Sequence, residues 1–138
     1  MKKIIVSLFV LIFLFITSQW LTVENPIETK VLINGDPPYD TVYVTPFQNE
    51  FEVNIISKLS GTCEICVNPM NASISPSCLG KQVTQGKNTF RFLLSPEQNI
   101  TRLFIEYQVS CNLTNYLTEI SILQDELLTP DVRWEKDR

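Results

Sequence analysis

A chain of 138 residues with 11 basic and 15 acidic side chains, four cysteines and no histidine has room for one domain with its own core. Its acidic balance disfavours a nucleic-acid partner, because phosphate binding needs clustered Lys and Arg. The missing histidine removes Ser-His-Asp and Cys-His nucleophilic catalysis, histidine-ligated metals and the usual near-neutral proton shuttle, so the reading is of a non-enzyme with no cofactor and no metal.

The chain begins with Lys2 and Lys3, continues as the apolar run Ile4 to Ile16, and reaches Val23 before the first later charge, Glu24. Charged residues ahead of an apolar core of this length match a secretory signal peptide. Two fates fit. One is cleavage after Ser18. The other is retention as an anchor, because residues 4–23 carry no charge and are long enough to span ~30 Å of hydrocarbon. Residues 1–23 are therefore expected to be a signal peptide or uncleaved anchor, 24–128 a folded domain and 129–138 a charged, frayed tail. The domain is expected to be secreted, or extracellular or lumenal on a single-pass membrane protein. Membrane contact is then expected only through residues 4–23, and only where the leader is retained. No second apolar segment of that kind follows, so a C-terminal span and a lipid-anchor signal are not expected.

After the leader the pattern is of strands and turns. Residues 28–34 are a short β-rich run that ends at the turn signal Asn34-Gly35. Residues 41–45 alternate, with Pro46 marking an edge or an end. Phe51, Val53, Ile55 and Leu59 share one face of a strand, and Ser60-Gly61-Thr62 is expected to break it. Residues 68–86 are rich in Asn, Pro, Ser and Gly and predict loops, with at most a short strand near 81–85. The strongest alternations come next, in Phe90, Phe92 and Leu94, and then in Leu103, Ile105, Tyr107 and Val109. A last strand is predicted over 116–124. The fold class is all-β: an antiparallel sandwich of about seven to eight strands, of immunoglobulin or fibronectin type III general shape, following an apolar signal or anchor helix.

Strand phase decodes the cysteines. In an extended segment Cys63, Ile65 and Val67 share an apolar face, while Cys66 shares the polar face with Glu64 and Asn68. Three residues of strand span ~10 Å, beyond the usual ~4.4–6.8 Å between bridged Cα atoms, so Cys63 should not pair with Cys66. Cys111 continues the apolar face of Leu103 to Val109. Of the three connectivities open to four cysteines, phase selects Cys63–Cys111 in the core and Cys66–Cys78 as a surface clamp on the loop. The C-x-x-C spacing lacks the strand-to-helix setting of a redox motif, and with no second close pair it lacks the ligand set of a zinc site.

Three sequons, at Asn71, Asn99 and Asn112, are placed to face water and are candidate N-glycosylation sites. Glu50 with Glu52, and Asp125 with Glu126, read as solvated surface rather than catalytic pairs. The carboxylates of Asp36 and Asp40 offer oxygens suited to calcium, but a proline turn explains them first. Leu93, Phe104 and Leu123 lie opposite the core alternation and are the candidate partner-binding residues. The function expected is that of a disulfide-stabilised, N-glycosylated module that acts by protein contacts, as an adhesion domain or a small accessory subunit. The alternative is a carrier holding a lipid or other apolar ligand between its sheets, to which Phe47, Phe51, Phe90, Phe92 and Phe104 would contribute.

Overall fold

The computed structural model describes residues 25–137, so the leader expected at 1–23 lies outside the described residues. Ten strands follow one another: β1 (Ile27–Ile33), β2 (Thr41–Val44), β3 (Asn49–Ser57), β4 (Ser60–Pro69), β5 (Ala72–Ser75), β6 (Cys78–Val83), β7 (Gly86–Pro96), β8 (Ile105–Thr114), β9 (Glu119–Leu128) and β10 (Asp131–Trp134). A single 3₁₀ turn, Glu135–Asp137, comes after them. One antiparallel sheet has the order β1-β3-β7-β5 and the other β6-β4-β8-β9, while β2 and β10 form a two-stranded parallel ribbon. The domain is an all-β sandwich.

Each sheet sends one face inward because its side chains alternate. In β8 the alternation is complete, with every odd residue from Ile105 to Leu113 buried and every even one exposed. The first sheet answers with Phe51, Val53 and Ile55 on β3 and Phe90, Phe92 and Leu94 on β7. Phe51 and Phe92 meet edge to face, their ring centroids 6.0 Å apart and 66° inclined, a favoured aromatic geometry. Full burial of side chains of this size stabilises by roughly 2–3 kcal/mol each.

Turn chemistry sets the reversal that follows β1. Ile33 and Asp36 exchange both backbone hydrogen bonds, N–H to O at 2.9 and 3.0 Å, around Asn34 (φ 51°) and Gly35 (φ 87°). Positive φ at both central residues is the turn whose twist matches its flanking strands, and Asn-Gly is its preferred sequence. Asn34 then ties this turn to its neighbours. Its Nδ2 donates to the Tyr43 carbonyl and to Asn49 Oδ1, and its Oδ1 accepts from the Glu50 amide. Asn49 is buried and fully used: Oδ1 accepts from the Thr45 amide at 2.8 Å, and Nδ2 donates to the carbonyls of Thr45 and Leu94.

Four sequence expectations are corrected. Ser60-Gly61-Thr62 does not end a strand but opens β4, because the chain crosses there from one sheet to the other. Residues 68–86 are largely not loop: β5 and β6 occupy them as the outer strands of the two sheets. An outer strand is only partly covered, and neither shows a run of buried apolar residues, so the alternation that identifies a strand is missing. The last strand of the second sheet runs over 119–128 rather than 116–124. The tail expected to fray instead contributes β10. Val132 is buried and Trp134 half-buried between exposed Asp131 and Arg133, a period of two too short to stand out among the charges. Backbone bonds from Leu103 to Pro130, Asp131 to Asp40 and Val132 to Thr101 hold it in place, with an Arg102–Asp131 ion pair at 2.9 Å and Trp134 Nε1 donating to the Ile100 carbonyl.

β4 and β8 approach closely at Gly61. A Cβ there would stand 2.1 Å from the Asn112 carbonyl oxygen and 2.8 Å from Leu113 Cα, both backbone atoms, whereas at Gly80 the nearest atom is 3.8 Å away. Gly61→Ala is expected to cost about 2–3 kcal/mol by forcing the strands apart, and Gly80→Ala to stay within about 0.5 kcal/mol. Urea denaturation midpoints of the two variants check this.

Candidate interaction surface

The central strand β4 takes part in both disulfides. Cys63 and Cys111 stand opposite each other in the β4–β8 register, with Cα atoms 4.1 Å apart and both residues buried. Cys66 and Cys78 are opposite in the β4–β6 register, with Cα atoms 4.0 Å apart. Cys63 and Cys66 lie on opposite faces of β4, so each takes a partner from a neighbouring strand. The buried bond stays within the second sheet, and the outer one joins two paired strands rather than clamping a loop. By loop-closure entropy each contributes about 3–4 kcal/mol.

The outer face of the second sheet carries Cys66–Cys78, Glu64, Glu106 and Gln108. Oxygen and sulfur atoms of Glu64, Cys66 and Cys78 come within 4.8 Å of one another, but the sulfurs are bonded to each other, so one carboxylate is the only ligand this group offers. On the adjoining strand, Leu123 and Leu127 point the same way and are 65% and 58% exposed. β9 is the last strand of its sheet, with no neighbour paired along its far edge among the described residues.

The three residues expected to form a partner surface are all exposed but do not come together. Leu93 is on β7, so it faces out from the first sheet, and Leu123 faces out from the second, on the opposite side of the molecule. Phe104 precedes β8, about six residues, or ~20 Å, along the sheet from the Ser110–Leu123 pair, and its carbonyl accepts from the Met70 amide. Leu127, four residues beyond Leu123 on the same face of β9 with Asp125 between them, is an exposed leucine that alternation would have added to that face. Of the five phenylalanines considered for a ligand cavity, Phe51, Phe90 and Phe92 are packed in the core and Phe47 and Phe104 are on the surface.

The sequons differ in chemistry. Asn71 is half-buried and its amide is committed, with Nδ2 donating to the Arg102 carbonyl and Oδ1 accepting from the Phe104 amide. Asn99 is exposed in a turn with φ 63°. Asn112 is exposed, and only its Oδ1 is engaged, by Ser121 Oγ at 3.0 Å. Glu50 and Glu52 both pair with Arg91, at 3.2 and 3.4 Å, and the backbone oxygens of Asp36 and Asp40 accept turn and ribbon hydrogen bonds.

The second sheet buries a tyrosine hydroxyl. Tyr107 is buried on β8 and its hydroxyl donates to Glu126, its register partner on β9. Burial first, then the hydrogen bond and the charge of Glu126, hold the phenol protonated well above its ordinary range, and a hydrogen bond with Thr29 acts in the opposite direction.

No protein-family model and no curated protein matches the chain. Among solved structures it is similar to the CsuC–CsuE chaperone–tip adhesion subunit pre-assembly complex of Acinetobacter baumannii Csu pili, at 10% identity and a TM-score of 0.44, over 76% of this chain and 57% of that one. It is also similar to a FixG-related protein of Vibrio parahaemolyticus, at 15% identity and 0.42, over 78% and 98%. A third likeness is to WR4, an MSP family member of C. elegans, at 11% and 0.39, over 76% and 97%. The chain thus spans just over half the length of the Acinetobacter chain. The sandwich is evident from this chain's own strand order and registers, and these likenesses add no function to it.

Two outcomes are expected. Expressed through a glycosylating secretory pathway, the protein should carry glycans at Asn99 and Asn112 and leave Asn71 bare, because Asn71 is half-buried with its amide turned to the Arg102 carbonyl and Phe104 amide while the other two are exposed; glycopeptide mass spectrometry reads this directly. Tyr107 keeps its proton in the folded state beyond the unfolded value of about 10. Its contribution to stability is therefore complete below pH ~10 and lost as the pH rises above it. Tyr107→Phe should cost about 1 kcal/mol at neutral pH and flatten the fall in urea midpoint above pH ~10.

Proposed function

We propose that the chain is a non-enzymatic, extracytoplasmic β-sandwich that works by protein contact, as an adhesion module or the small glycosylated subunit of a larger assembly. The observation that carries this reading is the pair Leu123 and Leu127, both exposed on the outer face of β9, whose far edge pairs with no strand among the described residues. An exposed strand edge offers a row of backbone donors and acceptors to a second polypeptide, and two leucines beside it supply apolar area to bury. The disulfides and the leader support an oxidising compartment on the far side of a membrane. The filled core supports contact rather than carriage, because Phe51, Phe90 and Phe92, wholly or almost wholly buried, take the space a ligand between the sheets would need.

The full-length protein, gently extracted from its source, should carry a polypeptide in native mass spectrometry. Leu123→Asp combined with Leu127→Asp should release that polypeptide while leaving thermal stability nearly unchanged, since both side chains are on the surface. A bound lipid in place of a polypeptide, or a partner that survives both substitutions, would overturn the proposal.

A further inference from the structure

We propose that one end of the sandwich is a second membrane-contact site, in which Tyr116 and Leu117 at the tip of the β8–β9 hairpin dip into the lipid headgroup layer. This rests on the retained-leader reading of residues 4–23 and adds to it a surface of the folded domain.

Three observations meet at this end. First, Tyr116 and Leu117 are the most exposed large apolar side chains of the described chain, at 104% and 91%. They are also held outward, because the hairpin is closed by the Asn115 amide donating to the Thr118 carbonyl at 3.1 Å and the Leu117 amide to Asn115 Oδ1 at 3.0 Å. Second, the chain enters the domain at this same end. The Lys58 amide donates to the Pro26 carbonyl at 2.9 Å, which pins the start of the domain to the β3–β4 turn, and Ser60 at the head of β4 pairs with Thr114 at the base of the hairpin. Third, the tether is short. From Val23 to Pro26 is three peptide steps, at most about 10 Å, little more than the ~5–8 Å of headgroup layer on each side of the hydrocarbon. A span ending at Val23 therefore brings this end of the sandwich to the lipid surface, with the hairpin tip beside the entry point.

Tyrosine suits such a boundary, with an apolar ring for the acyl side and a hydroxyl for the headgroups. Charge does not drive the contact. Lys58 and Lys87 lie at this end, but so do Glu28 and Glu119. The partner is therefore the apolar boundary of a neutral bilayer rather than an anionic headgroup, and binding should be insensitive to salt.

The test uses the full-length chain in phosphatidylcholine vesicles, with Leu117 replaced by the photo-crosslinker p-benzoylphenylalanine. A second protein carries it instead at Phe47, which is 78% exposed in the β2–β3 turn at the opposite end. Both positions are on the surface, so both proteins should fold. Flotation with the vesicles is measured first and lipid adducts by mass spectrometry after irradiation. The expected result is flotation of both proteins and a lipid adduct at position 117 that persists at high salt, with none above background at position 47. Flotation without an adduct at 117, or equal adducts at both positions, would overturn this inference and leave the anchor in place. Failure to float would overturn the anchor reading and this inference with it.

Discussion

The register between β4 and β8 is the constraint on which the rest of the domain depends. Ten residues of each strand pair without interruption from Ser60–Thr114 to Pro69–Ile105, Cys63 is bonded to Cys111 within that run, and Gly61 lets the backbones close where any side chain would collide. A slip of one residue would turn every odd-numbered side chain of one strand to the solvent. Two paired strands joined covalently at opposed positions cannot make that slip. With the pair held, the inward face of the second sheet is a fixed apolar surface, and the first sheet, through Phe51, Phe90 and Phe92, packs against it.

Polar atoms inside this arrangement tie neighbouring segments together. Asn49 replaces missing backbone partners where the chain turns from β2 into β3, and Asn34 ties that turn to the one after β1. Tyr107 and Glu126 join the two strands nearest the open side of the second sheet. Each group is satisfied by hydrogen bonds, as burial demands, and no described buried side-chain nitrogen or oxygen lacks a partner. The two proposed contacts use the periphery: the β9 edge with its two leucines, and the end of the sandwich that carries Tyr116 and Leu117.

These surfaces lie apart on the molecule. The β9 edge runs along its side, whereas the entry point of the chain and the hairpin tip of Tyr116 and Leu117 share one end. On the proposed readings, a lipid surface takes that end and a protein partner takes the side, so the two contacts do not compete. The second disulfide stiffens the outer strand β6 against β4, on the other flank of the same sheet.

The alternation of apolar and polar residues in 49–57, 86–96 and 105–114 was enough to read a sandwich and to place its core. Side-chain phase is a local property, set by a repeat of two along an extended chain, and it also separates Cys63 from Cys66. Phase could not show that β5 and β6 are strands, because an outer strand lacks the buried partners that impose an apolar pattern. Nor could it show that the charged C-terminal run supplies β10, whose order comes from bonds to Asp40, Thr101 and Pro130 far away in the chain. Exposure of Leu93, Phe104 and Leu123 was legible residue by residue. That Leu93 faces out from the other sheet, and that Phe104 lies about six residues along the sheet from the Ser110–Leu123 pair, follows from which sheet each strand joins and in what register. Long-range pairing makes that choice, and no repeat along the sequence records it.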